Sequence, residues 1–327
     1  MRRRTLLYGG FTAVVAGTTA AALANGASTA GGSEARSTLT LIAPAATGGG
    51  WDGFARESQQ VLREESIVNN VQVVNIPGAG GTIGLSQFIR SPGNPSSLLV
   101  TGGVMVGAIA LGEGEATFDD VVPIARLADD YAAIVVPADS ELETLDDLLE
   151  AWTDDPGGTS ISGGSLGSID HLLSGRLAQV IGIDPEDLNY VAYSGGGEAL
   201  NSLLSHTTTI GVSGYNEVAD QVEAGTLRAI AISAEERLPG VDVPTFVELG
   251  TDVAMSNWRG VVAAPGITDE VRDQFVDIVT EMRDSDAWAE TLQRNDWTDS
   301  FLTGDEFADY IRDEAEQAAE IVEDLGL

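Results

Sequence analysis

Four times along this chain a short apolar run ends in a glycine cluster that opens into a helix-like segment. The clusters are Gly48-Gly49-Gly50-Trp51-Asp52, Pro77-Gly78-Ala79-Gly80-Gly81, Gly163-Gly164-Ser165-Leu166-Gly167-Ser168 and Ser194-Gly195-Gly196-Gly197-Glu198. Junctions of this kind commit a chain to α/β layering, because a strand apolar on both faces needs cover on both. Each junction also leaves first-turn N–H groups without an intrahelical acceptor, at the positive end of the helix dipole, where an anion is favoured.

Strand-like runs fall at 38–43, 71–76, 98–102, 121–127 and 132–136, then at 159–162, 188–192, 208–212, 227–232 and 260–263. Helical periodicity occupies 51–66, 81–89, 144–152, 169–181, 198–204 and 217–223, and the C-terminal part is helical at 268–285, 287–295 and 305–325. Apolar strands separated by helices predict parallel sheets. Two groups of strands with a returning helical tail predict two lobes, residues 38–134 with 260–327 and residues 135–259. The chain is expected to cross between them near 132–136 and 258–264. Ligands of α/β sheets lie beyond the carboxyl ends of the strands, so the cleft between the lobes is the expected site.

Residue counts narrow the chemistry. The 327 residues include no Cys, no Lys and two His. Thiolate catalysis, a disulfide framework and a Walker-type lysine are excluded, and no cluster has zinc-ligand spacing. Against 51 Asp plus Glu stand 16 basic residues, every one an Arg, for a formal charge of −35. That balance argues against nucleic acid or an anionic membrane as partner. The acids are scattered, a surface suited to high salt, where a Debye length of about 3 Å at 1 M screens self-repulsion. The chain reads as halophilic and monomeric, with no cofactor or metal, holding an anionic small molecule rather than transforming it.

Export is written at the N-terminus. Arg3-Arg4-Thr5-Leu6-Leu7 is a twin-arginine pattern, and an apolar stretch runs on to Ala24. Ala22-Leu23-Ala24 is a small-residue cleavage signal, giving a leader at 1–24 and a flexible tether at 25–37. Cleaved or kept as an anchor, the leader puts the folded part outside the cytoplasm.

Each motif has a plain structural reading beside the functional one. Asp52 can cap the helix that follows it or accept a hydrogen bond from a ligand. Trp51 can cover a ligand or pack against that helix. The segment from Gly78 to Gly84 imitates a dinucleotide fingerprint, but Pro77 interrupts it, and a glycine turn around Gly80 aiming a helix at the cleft fits better. Gly163–Gly167 matches a nucleophile elbow with Ser165 at its centre. Its close follower His171 emerges on the same helix and cannot easily turn back, so a hydrolase is the weaker reading. Ser165, Ser168 and Ser213 fit better as hydroxyl donors. Arg259 and Arg126 sit near the expected crossings, where each can pair a ligand carboxylate or form an ion pair.

These stretches resemble one family, the extracytoplasmic solute receptors of tripartite tricarboxylate transporters (Bug-type receptors). The similarity runs from about Thr38 to the last helices. It is carried by Ala43-Pro44 through Arg56, Asn75 through Gly84, Gly163 through His171, Tyr193 through Leu200, Leu227 through Ala231, Pro244-Thr245 and Trp258 through Pro265. Gly-Gly-Gly-Trp-Asp, Ser-Gly-Gly-Gly-Glu and Asn-Trp-Arg-Gly look most like the tricarboxylate-binding branch. The resemblance implies a type II periplasmic-binding-protein fold, an organic polycarboxylate such as citrate as ligand, and a large and a small integral membrane subunit as partners. It also implies that the loops at Gly48–Asp52 and Gly163–Ser168 grip carboxylates. The expected ligand-binding set is Gly48, Gly49, Gly50, Trp51, Asp52, Gly80, Gly103, Gly164, Ser165, Ser168, His171, Ser194, Gly195, Gly196, Ser213 and Arg259, with backbone amides supplying most bonds. A ligand sensor for a signalling partner and an esterase built on Ser165 are the alternatives.

Overall fold

The computed structural model describes residues 34–112, 114–193 and 196–327. The leader, most of the tether, Ser194 and Gly195 lie outside the described residues. One turn of helix at Glu34–Ser37 leads into β1 (Thr38–Ala43), α1 (Gly50–Glu64), β2 (Asn70–Asn75), α2 (Thr82–Phe88), β3 (Ser97–Gly102) and α3 (Gly103–Ala110). Then come β4 (Val122–Pro137), α4 (Leu145–Asp154), β5 (Ser160–Gly163), α5 (Ile169–Ile181), β6 (Asn189–Ala192), α6 (Gly196–Leu204), β7 (Ile210–Gly214), α7 (Tyr215–Glu223) and β8 (Leu227–Ile232). The chain closes with β9 (Ser256–Ala263), α8 (Asp269–Arg283), α9 (Asp286–Arg294), β10 (Thr298–Thr303) and α10 (Gly304–Asp324).

β1 pairs in parallel with β2 and β3, and β5 pairs in parallel with β6 and β7. Every residue of β3 is buried, as an apolar strand covered on both faces must be. The two parallel groups meet through β4. Its first part, Val122 to Tyr131, runs antiparallel to β9, and its second, Ala132 to Pro137, runs antiparallel to β7 and β8. The sheet therefore changes between Tyr131 and Ala132, while all of β9 stays with β3 and the first part of β4.

Two expectations need correction. The runs at 121–127 and 132–136 are one strand, not two, because the acids between them are neutralised inside the sheet. Asp129 accepts from Arg126 Nε at 2.9 Å and from Ser300 Oγ at 2.7 Å, and Asp130 is paired with Arg259. The helix α3 and the strand β10 are absent from the sequence reading. α3 is apolar all round and reads as a continuation of β3, whereas β10 is too polar to stand out.

Each half has its own core. Phe54 meets Trp288 edge to face and Trp297 at a tilt in the first, and Trp152, Ile161 and Phe246 fill the second. The last helix spans both: Phe307 and Ile311 pack on Trp258, while Ile321 and Leu325 join Leu172 of α5.

Candidate functional site

The first glycine cluster lies between β1 and α1, where Gly49 is the N-cap and no side chain caps the helix. Gly48 N–H is already spent, donating to Asp52 Oδ2 at 2.9 Å, and Gly49 N–H donates to Ala46 O at 3.0 Å. The first-turn amides of Gly50, Trp51 and Asp52 have no acceptor among the described residues. Asp52 is 2% exposed, with its oxygens taken by Gly48 N, Arg56 Nε and Asn75 Nδ2, each at 2.9 Å. Arg56 leads in holding its carboxyl down at about 2, against desolvation. Asp52 is thus a brace behind the loop and not the N-cap read from sequence, a place that Gly49 takes.

A cleft of about 320 Å³ lies between the first two glycine clusters and strand β9, with Gly50 and Trp51 among its lining residues. Gly50, Trp51, Gly80, Gly81, Asn257, Arg259 and Glu217 are among its walls. Gly81 has φ +96°, and a Cβ on it would stand 2.7 Å from Trp51 Cζ3, so only glycine lets the indole lie there. Gly80, expected in the site, does line the cleft, at φ +52° and hard against Ala108.

Arg259 is the cation of the cleft. It is 5% exposed, its Nη2 pairs with Asp130 Oδ2, and its guanidinium lies 4.8 Å from the ring centre of Trp297. Nη1 of Arg259 and Oδ1 of Asp130 are both buried and have no partner among the described residues. The surface ion pair expected of an arginine in so acidic a chain does not form here. Arg126, the other candidate, pairs with Asp129 and stacks on Tyr310 at 4.0 Å, away from the cleft.

The third cluster departs furthest from expectation, because its donors and acceptors are used to fold the loop. Gly164 N–H donates to Asp170 Oδ2 at 2.8 Å, Gly167 N–H to His171 Nδ1 at 3.1 Å, and Tyr190 OH to Gly164 O at 3.0 Å. Ser168 caps α5 by accepting from His171 N–H. Gly164, Ser168 and His171 are therefore loop-building groups outside the cleft wall, and Ser165 is exposed beside Leu166. Burial brings His171 down to about 4 and pushes Asp170 up to about 7. A Ser165 hydrolase has no base here, since His171 Nδ1 is occupied and His206 is an exposed partner of Asp139 at 3.7 Å.

Gly103 is also misplaced by the sequence reading. It faces a small separate cavity with Ile169 and Met255, because α3 begins directly at the end of β3. In the fourth cluster Gly196 starts α6 so close to Glu217 that a Cβ would collide with Oε2. Ser213 Oγ donates to that same oxygen at 3.1 Å. Glu217, Asn257 and Asp130 were not among the expected site residues. Asn257 adjoins the Trp258-Arg259 motif, and Asn257 lies opposite Asp130 in register, so pairing of β4 with β9 was the missing signal.

Residues 54–327 match the model of a family described as tripartite tricarboxylate transporter family receptor. Protein BugT of Bordetella pertussis is 27% identical over 294 residues, which span 88% of this chain and 89% of that protein. A TctC solute binding protein from Polaromonas has the same fold at a TM-score of 0.72, with 25% identity over 88% of this chain and 98% of the other. The R. palustris protein Rpa4515, solved with adipate, matches at a TM-score of 0.77, with 20% identity over 88% of this chain and 97% of its own. The architecture is that of the periplasmic solute-binding proteins, as the sequence led us to expect. Among the described residues no helix is long and apolar enough to cross a membrane.

Proposed function

The chain belongs to the tripartite tricarboxylate transporter receptor family, a class of solute receptors and not of enzymes, and from that premise we propose that its cleft binds an organic polycarboxylate. Citrate or another tri- or dicarboxylate is the ligand, delivered to a large and a small integral membrane subunit. The receptor works as a monomer outside the cytoplasm, exported by the twin-arginine route and adapted to high salt. Its lobes are the two halves that join within β4 between Tyr131 and Ala132, and they close over the ligand by hinge motion.

What carries this reading is Arg259: a buried guanidinium with a nitrogen that has no partner among the described residues, on the wall of a cleft also lined by Gly50 and Trp51, whose amides have no acceptor among those residues. Hydrogen bonds to a charged group contribute roughly 1.5–3 kcal/mol each. Three or four of them, less the cost of association, give affinity around the micromolar range, about −8 kcal/mol. On closure the exposed Ser165 and the fourth glycine cluster with Ser194, Gly195 and Gly196 supply further donors from the facing lobe.

A thermal-shift screen of the full chain in molar KCl tests the proposal. Citrate, adipate, malate or a related acid is expected to raise the melting temperature. A panel of di- and tricarboxylates and amino acids that leaves it unmoved overturns the reading.

A further inference from the structure

The charged side chains lining the cleft are Arg259 and Glu217, and with Asp130 paired behind Arg259 the site holds two carboxylates to one guanidinium. Arg259, its cation, is already paired with Asp130, and Glu217 stands on the same cleft with its side chain accessible. The hydrogen bond Glu217 receives within the chain comes from Ser213 Oγ to Oε2, which leaves Oε1 with no donor among the described residues. Behind it the shortage of donors continues. Asp130 Oδ1 and Asn216 Oδ1 are both buried and have no partner among the described residues. They converge on Gly214: a Cβ there would lie 3.0 Å from Asn216 Oδ1, 3.8 Å from Asp130 Oδ1 and 3.8 Å from Glu217 Cγ.

A carboxylate ligand adds acceptors to a wall already in surplus of them, and like charges brought together without a counter-charge are disfavoured. A ligand that brings a cation with three N–H donors reverses the balance on the Glu217 side and leaves Arg259 to its carboxylate. Resting on the reading of this cleft as a carboxylate site, we infer that Glu217 makes it select an acid that also bears an ammonium group. Glu217 then determines specificity by accepting from that ammonium. A hydroxyl supplies one donor and no charge, so a hydroxy acid satisfies the same position less well.

The test uses pairs of acids that differ only by an ammonium in place of hydrogen: aspartate with succinate, glutamate with glutarate, and 2-aminoadipate with adipate. Titration calorimetry on the full chain is expected to show at least one amino acid binding roughly tenfold or more tightly than its partner. Glu217→Gln keeps the shape and removes the charge. It is expected to weaken the amino acid by a similar factor while leaving the deaminated acid unchanged or tighter. Deaminated acids that bind as tightly as their amino partners, or a variant that weakens both alike, overturn the ammonium site and leave the carboxylate receptor standing. If no acid of the panel binds, citrate included, both readings fall. An unchanged thermal melt of Glu217→Gln and of Glu217→Ala, without ligand, checks that folding is intact.

Discussion

Arg259 and Asp130 form a buried ion pair at the point where β4 leaves one sheet for the other. Asp130 pairs in register with Asn257, the next position is Tyr131 with Ser256, and from Ala132 onward the strand belongs to β7 and β8. A ligand carboxylate drawn to Arg259 therefore acts on the strand that joins the two halves. In the proposed receptor, binding and closure of the halves would share one side chain.

Removing one member of a buried pair strands the other. Arg259→Ala is expected to cost about 3–5 kcal/mol in denaturant unfolding and to abolish citrate binding. Asp130→Asn combined with Arg259→Ala should regain much of the stability without regaining the ligand. A double variant no more stable than Arg259→Ala would show that the pair itself is not the cause.

Asp52 braces the first loop through Gly48, Arg56 and Asn75. Its carboxyl sits at about 2 in place of 3.8, so its contribution is complete above the ordinary value and is lost as pH falls through about 2. At neutral pH that contribution is about 2 kcal/mol. Asp52→Ala should lose that amount, and the gap from wild type should shrink in acid. Because both oxygens face inward, affinity for malate and for succinate should fall by the same factor; unequal losses in calorimetry would place Asp52 against the ligand.

Asp170 and His171 are neighbours with opposed pH responses. His171, lowered to about 4 by burial, adds stability that is present above 6.5 and lost as pH falls through about 4. Asp170, raised to about 7 chiefly by burial, adds stability that is present below 3.8 and lost as pH rises through about 7. The two slopes oppose each other from pH 4 to 6.5. Relative to wild type, Asp170→Asn should gain stability with rising pH over this window, and His171→Asn should lose it. Parallel denaturation curves for all three proteins would refute the assignment.

Gly81 gives the indole of Trp51 its place. Gly81→Ala puts a Cβ 2.7 Å from Trp51 Cζ3 and 2.9 Å from Met105 Cε, at a φ of +96°. The cost should be about 1–3 kcal/mol, with weaker citrate binding as Trp51 is displaced. A variant that melts and binds like wild type would remove Trp51 from the site.

Most of the fold was legible because apolar periodicity reports burial directly. β1, β8 and α5 have the bounds expected from sequence, and most other elements are off by a residue or two. Where the reading failed, a partner brought up by folding, near or far along the chain, had changed what a residue could do. Asp129 and Asp130 look like a break until Arg126, Ser300 and Arg259 are brought to them. Much the same holds at the site. Glycine clusters announced loops able to present amides, but nothing local to Gly48 or Gly164 says that Asp52 and Asp170 take those amides. Glu217 joins the cleft only because β7 and α7 bring it there, and a lone glutamate at the start of a helix carries no such mark.

The C-terminal helix is laid like a belt across both halves, from Phe307 beside Trp258 to Leu325, which reaches to within 3.2 Å of where a side chain on Gly175 would begin. If the halves close as proposed, this seam has to move with them, and a side chain on Gly175 would press on Leu325 where α10 ends against α5. A bulkier residue at this position, far from any ligand, would jam the stroke of the receptor while leaving its grip intact.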